Sequence, residues 1–200
     1  LPMPGRHNVQ NALAAIAVAI ELGIEDDKIV EGFERFEGVK RRFTRVGEIG
    51  GAVIIDDYAH HPVEIRAVLA AARESAPSLS EDGSGRVIAV MQPHRYSRTR
   101  DQFDAFAAVL SEVDVLVLSE VYPAGEAPIA GADAKSLARA IRARGRNEPI
   151  VVSQVSELAA VLPDVLQDGD LLLLMGAGDI GQVAQHVAMH GFTAIAEGTP

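Results

Sequence analysis

Two short stretches hold most of the side chains able to do chemistry. Asp56-Asp57-Tyr58-Ala59-His60-His61-Pro62 sets two acids, a phenol and two imidazoles side by side, and Gln92-Pro93-His94-Arg95-Tyr96-Ser97-Arg98-Thr99-Arg100 adds a histidine and three arginines. The chain around them is acidic, with 28 Asp and Glu against 18 Lys and Arg and a formal charge of −10. Three arginines in one loop of such a protein need an anionic reason to be there. A guanidinium presents a fixed fork of donors matched to carboxylate and phosphate, so the second stretch reads as an anion clamp. The plainer alternative is a solvated charged loop. The acids and imidazoles of the first stretch are types that bind zinc or iron. Adjacent residues rarely converge on one ion unaided, so hydrogen-bonding and positioning roles are preferred and no metal ligand is assigned.

Three further patterns carry less. Gly176-Ala177-Gly178-Asp179-Ile180-Gly181 follows an apolar run and opens a helical pattern, which is the context a dinucleotide fingerprint requires. Residues 182–200 are too few for the second strand and ribose-binding acid of a full dinucleotide unit. A tight strand-to-helix turn is therefore preferred, and an NAD- or FAD-binding module stays as the enzyme-class alternative. His186 and His190 share a helix face, yet the sequence lacks the glutamate of H-E-x-x-H and reads as an exposed, unliganded pair. The lysines are Lys28, Lys40 and Lys135, none preceded by glycine, so no phosphate-binding P-loop is present, and no G-x-S-x-G elbow offers a serine nucleophile.

The elements that must position these groups follow from apolar spacing. Val9, Ala12, Leu13, Ile16, Ala17 and Ile20 form the i, i+3, i+4 stripe of a buried helix face over residues 6–22. Gly23 ends that helix, and Glu25-Asp26-Asp27 starts a second one running to about residue 36. After Gly38 the pattern changes to extended segments at 43–49 and 52–56 around Gly50-Gly51, then to apolar runs at 87–91, 113–118, 150–152 and 171–175. Helical patterns fall at about 63–75, 101–112, 134–144, 156–166 and 180–190. Repeated βα units predict an α/β fold, a mostly parallel doubly wound sheet with helices on both faces, preceded by a short helical segment. A boundary is expected near residue 40. Both chemistry-bearing stretches then lie beyond carboxyl ends of strands, where open α/β sheets bind ligands.

Composition narrows the rest. With 48% hydrophobic but only 4% aromatic residues the core is aliphatic, as in sheets covered on both faces. The acidic balance argues against nucleic-acid and anionic-membrane binding. There is no cysteine, which excludes disulfides and a thiol nucleophile and leaves a reducing compartment as the default. The longest apolar stretches, at 12–20 and 171–175, fall well short of the ~20 residues a spanning helix needs, so a soluble chain is expected.

An ordered set of residues goes further. Gly5-Arg6-His7-Asn8 with Asn11 and Ala12, Phe36 through Gly38 to Arg41-Arg42-Phe43, Asp56 to Pro62, Gln92 to Thr99, Val121-Tyr122 with Ala124-Gly125-Glu126 and Pro128-Ile129, and Gly176 to Ile180 span nearly the whole chain. Together they resemble the Mur ligases of peptidoglycan synthesis, and the stretch from Gln92 to Thr99 looks like the alanine-adding branch. The resemblance implies a bacterial cytoplasmic enzyme of three domains: one binding UDP, a central P-loop ATPase and a Rossmann-like third. Residues 1–39 would be the last helices of the central domain and 40–200 the third domain. The activity implied is ATP-dependent joining of L-alanine to UDP-N-acetylmuramate through an acyl phosphate, with Mg2+ bridging the phosphates and mostly held, like ATP, by the remainder of the enzyme. This chain alone would be inactive, and a homodimer of the full-length enzyme is compatible with the resemblance. Carried over by position, Asn8, Asn11, Arg42 and Asp57 would contact ATP. Tyr58 and His60 would line the cleft, and His94, Arg95 and Arg98 would face the muramoyl substrate and its reacting carboxylate. The non-enzyme alternative is an interaction domain presenting helix faces within residues 6–36.

Overall fold

The computed structural model describes residues 2–192. Residues 193–200, the end of the expected second domain, lie outside the described residues. Six strands form one sheet: β1 (Thr44–Ile49), β2 (Ala52–Asp57), β3 (Val87–Met91), β4 (Val115–Ser119), β5 (Ile150–Val152) and β6 (Leu171–Met175). Their spatial order is β1-β2-β6-β3-β4-β5; β1 is an antiparallel edge strand and all other neighbours are parallel. The expected doubly wound sheet is therefore present, with the segments around Gly50-Gly51 paired as a hairpin.

Alternation along the strands divides the core in two. Val53, Ile55, Ala89, Met91, Leu116, Leu118, Leu173 and Met175 face one side. There they meet α3 (Pro62–Ser75), α5 (Phe103–Leu110) and α6 (Ala134–Arg142). Ile54, Ile88, Val90, Val117, Leu172 and Leu174 face the other, under α7 (Leu158–Val165) and α8 (Ile180–His190). Burial on both faces is why these strands read as continuous apolar runs. Helix starts are set locally: Pro62 occupies the first turn of α3, whose cap residue His61 accepts from the Val63 amide, and the Asp133 carboxylate accepts from the Ser136 amide to begin α6.

Since the helix after β3 covers one face and the helix after β6 the other, the adjacent carboxyl ends of β3 and β6 form a switch point and open a crevice. Loops after β2, β3, β4 and β6 all emerge at that edge.

Two sequence expectations need correction. The Gln92–Arg100 stretch is not all loop: α4 (Tyr96–Asp101) begins at once after Arg95, and the chain bends at Gln102 before α5. The apolar stripe of α1 (Arg6–Glu21) is not buried either, since Val9, Leu13 and Ile20 are 53%, 59% and 58% exposed. Periodicity identifies an amphipathic helix but not what covers it. Together with α2 (Asp26–Glu34), α1 forms a helical pair outside the sheet, and α1 touches the domain at α3.

Candidate functional site

The site is built where β3 gives way to α4. Met91 is followed by buried Gln92 and Pro93, and then His94 pairs with Tyr122 of the loop after β4 as a single parallel bridge. The Tyr122 amide donates to the Pro93 carbonyl at 2.8 Å and the Arg95 amide to the Tyr122 carbonyl at 2.9 Å. Arg95 then turns the chain with φ of 74°, a left-handed conformation unusual for a residue with a side chain. Three residues on, Arg98 folds back over the loop, its Nη1 donating to the His94 carbonyl at 3.1 Å and lying 3.4 Å from His94 Nδ1.

Four rings run across this edge. Tyr58 and His60, after β2, lie edge-to-face at 5.2 Å; His60 meets His94 edge-to-face at 5.8 Å; His94 stacks on Tyr122 at 5.4 Å with 11° between planes. His60 Nδ1 donates to the Tyr58 carbonyl at 2.8 Å, which fixes the orientation of the ring. Burial pushes the His94 imidazole below its ordinary value, and His60, Arg98 and Arg95 push it further. It is neutral at pH 7. A guanidinium can only donate, so Nδ1 facing Arg98 carries the lone pair and Nε2 the hydrogen.

The carboxyl end of β2 anchors the chain that arrives from the helical pair. Arg41 Nε reaches both oxygens of buried Asp56, at 3.2 and 3.1 Å, and its Nη2 donates to the Gly176 carbonyl at 2.7 Å. The Arg41 guanidinium also lies over the Tyr58 ring, 5.1 Å from its centre, with that of Arg42 6.0 Å away. Asp57 accepts from the Phe43 amide with one oxygen and the Ala59 amide with the other, both at 2.7 Å. Burial raises the pKa of both acids, against Arg41 at Asp56 and against those two amides at Asp57.

Between the helical pair and α3 lies a groove of about 780 Å³. It is lined on one side by Asn8, Asn11, Ala12 and Phe33 and on the other by Arg42, Asp57 and Val68. Asn8 is fixed there by donating to the Pro4 carbonyl at 2.7 Å. An apolar slot with a few amide and charged groups at its rim suits a flat heterocycle with a polar tail.

The glycine motif does other work. Gly176 has φ of 149°, and a Cβ there would stand 2.8 Å from the Gln92 carbonyl oxygen; a Cβ on Gly178 would stand 2.6 Å from the Tyr122 ring. Gln92 fills the turn, donating to Asp179 at 2.6 Å and accepting from the Ile180 amide at 3.3 Å. Protein side chains thus take the place a pyrophosphate holds in a dinucleotide fold, which removes the physical basis of that alternative.

The structure brings Tyr58, His60, His94 and Arg98 together and sets Arg95 at their rim, while Asn8, Asn11, Arg42 and Asp57 share the neighbouring groove. It does not bring in Arg100, which is exposed and paired with Asp101 at 2.8 Å, so two arginines rather than three stand at this edge. His61 serves as the α3 cap. The His186 and His190 rings lie 5.1 Å apart on α8, on the other face of the sheet. Arg41, Tyr122 and Glu126 gained no role from sequence, although each stands in a motif the resemblance uses. Their partners are distant in sequence, and only the sheet order joins them. Among the described residues no three His, Asp or Glu side chains converge as a metal site, and no helix is long and apolar enough to cross a membrane.

A doubly wound α/β domain whose carboxyl-edge crevice gathers arginine and imidazole beside an asparagine-lined groove is the class defined so far. Residues 41–178 match the family described as Mur ligase, glutamate ligase domain, and the chain belongs to the Mur ligase family. It is 63% identical over 197 residues to the UDP-N-acetylmuramate–L-alanine ligase of Xanthomonas euvesicatoria, covering 96% of this chain and 40% of that protein. It is 64% identical to the ligase of the same name from Stenotrophomonas maltophilia over the same shares. The crystal structure of the UDP-N-acetylmuramate-alanine ligase from Thermotoga maritima superposes with a TM-score of 0.71 at 32% identity, over 92% of this chain and 37% of that one. The chain thus spans about 40% of the length of the curated relatives it matches.

Proposed function

We propose that this chain is the carboxyl-terminal part of an ATP-dependent ligase that joins L-alanine to UDP-N-acetylmuramate in the bacterial cytoplasm. Residues 1–39 are then the end of the central ATPase domain and 40–200 the ligase domain. The exposed apolar face of α1 supports that division, because a preceding domain would cover it. In the reaction, a muramoyl carboxylate oxygen attacks the γ-phosphorus of ATP and ADP leaves. The alanine amine then attacks the acyl carbon, and the tetrahedral intermediate collapses with loss of phosphate and of an amine proton. Arg98 and Arg95 oppose the charge that gathers on the acyl phosphate and the intermediate, where fixed donors act more strongly than water once substrate and the preceding domains close the crevice. Neutral His94, held by Arg98 and stacked on Tyr122, keeps Nε2–H as a donor at the same place. Asn8 and Asn11 hold the adenine in the groove, and Arg42 and Asp57 approach the phosphate and ribose. Mg2+, when bound, would supply charge neutralisation at the phosphates; among the described residues no cluster of three His, Asp or Glu side chains offers it a site, so no ligand is given to it.

The observation that carries this reading is the row Tyr58, His60, His94 and Arg98 standing beside the asparagine groove on one sheet edge. The test is ligation by the full-length protein containing this chain, with ADP, phosphate and alanyl product each quantified. Equal yields of the three are expected, with no product from this chain alone. Tight nicotinamide-cofactor binding by the chain, or no alanyl product from folded full-length protein, would overturn the proposal.

A further inference from the structure

Glu126 reaches the arginine cluster from a different strand. The chain leaving β4 makes a tight turn in which the Glu126 amide donates to the Pro123 carbonyl at 3.0 Å. Ala124 and Gly125 both take positive φ, 48° and 84°, the signature of a type I′ turn and uncommon for alanine. The turn delivers the Glu126 carboxylate to the first turn of α4. There Oε2 accepts from the Ser97 amide at 2.9 Å, Oε1 accepts from the Ser97 hydroxyl at 2.7 Å, and Arg95 Nη1 stands 3.5 Å from Oε1. Arg95, the cap residue of α4, offers no side-chain capping bond of its own. One carboxylate therefore satisfies an amide that the helix start leaves open and also pairs with the neighbouring arginine. The Glu126 side chain is 24% exposed and belongs to neither face of the sheet core, so its bonds are local to this loop.

We propose that Glu126 is the positioning residue of the arginine cluster. Through Ser97 it fixes the backbone from Arg95 to Arg98, and it holds the Arg95 guanidinium in an ion pair that an incoming carboxylate or phosphate exchanges into. The left-handed turn at Arg95 makes such a hold necessary, since that conformation is disfavoured unless its surroundings enforce it. The Ser97 amide is held by Oε2, whereas Arg95 faces Oε1, which it shares with the Ser97 hydroxyl, so the backbone hold and the charge pairing separate by substitution. Glu126→Gln keeps an acceptor for the Ser97 amide and offers its NH2 to the Ser97 oxygen, while the charge facing Arg95 is lost.

This inference rests on the ligase reading for its kinetic test, so a structural readout accompanies it. In the full-length enzyme Glu126→Ala is expected to lower kcat/KM for the muramoyl substrate by about 10-fold or more, with KM for ATP unchanged within about twofold. Glu126→Gln should recover roughly half of that loss on a logarithmic scale. In an Arg95→Ala background Glu126→Ala should add less than about threefold, because the two act as one unit. Amide exchange at Ser97 should quicken in Glu126→Ala while the melting temperature holds within about 3 °C. Wild-type kinetics in Glu126→Ala, fully multiplicative losses with Arg95→Ala, or an unchanged Ser97 exchange rate would each overturn the proposal. Absence of alanyl product from the wild-type enzyme would instead refute the ligase reading, and Ser97 exchange would then decide the role of Glu126 by itself.

Discussion

Replacing Arg98 with alanine is the sharpest probe of the crevice. Its guanidinium carries about five N–H donors, and the His94 carbonyl and Nδ1 engage only the Nη1 end. The rest of the fork is available to an anion. Loss of a preorganised donor to a developing oxyanion costs roughly 2.7–4 kcal/mol, or about 10²–10³ in turnover. The cost to the fold is smaller: one half-buried hydrogen bond from a charged donor, about 1 kcal/mol after allowance for solvent, or a fall of about 2–4 °C in melting temperature. Arg98→Lys keeps the charge without the planar fork and should recover part of the rate. Because Arg98 is one of the charges depressing His94, its removal should also move the acidic limb of the pH–rate profile upward. The assay is steady-state kinetics of the folded full-length enzyme, following phosphate release and alanyl product separately. Turnover within threefold of wild type in Arg98→Ala would refute the reasoning, as would a rate loss matched by collapse of the melting transition.

Three more outcomes are expected. The folded pKa of His94 lies below its unfolded value of about 6.5, so the unfolded state binds the extra proton; stability should fall as pH drops through 6.5, and His94→Gln should flatten the urea midpoint against pH across that window. Arg41→Met leaves the buried Asp56 carboxylate unpaired and should cost about 2–3 kcal/mol at pH 7, discounted because Arg41 is 27% exposed. A raised folded pKa at Asp56 means that its protonation offsets the loss in acid, so the deficit in urea titrations should shrink toward pH 4; an equal deficit at both pH values would contradict this. Gly178→Ala should displace the Tyr122 ring and cost about 1–3 kcal/mol, read as a lower melting temperature and a changed near-ultraviolet tyrosine signal.

Local signals reached the sheet and its helices because each parallel strand is a short Val, Ile or Leu run and each helix carries a stripe. They did not reach the strand order, since β6 inserts between β2 and β3 by pairing with residues more than eighty positions away in sequence. That insertion puts Gly176 against Arg41 and Gln92 against Asp179, so the glycine run, whose sequence favours a tight strand-to-helix turn over a ligand turn, is a packing turn in the fold. His94, Arg95 and Arg98 were legible because unusual residue types crowd one stretch. Tyr122 and Glu126 were not, because an aromatic and an acid in a Pro-Ala-Gly loop look ordinary until the bridge from His94 brings that loop alongside. The stripe on α1 has the helical period but lies exposed, since burial depends on what lies opposite.

The bridge between His94 and Tyr122 bears on how such a site can diverge. Its two bonds run from amide to carbonyl, so the register of the two loops is encoded in main chain alone. Exchange of either side chain leaves the rung in place. Descendants of this sequence can therefore try new chemistry at 94 and 122 without relearning where to put it, provided position 178 stays small enough to receive whatever ring replaces the tyrosine. Placement at this edge is thus a property of the main chain, and the side chains at 94 and 122 decide only what the edge presents.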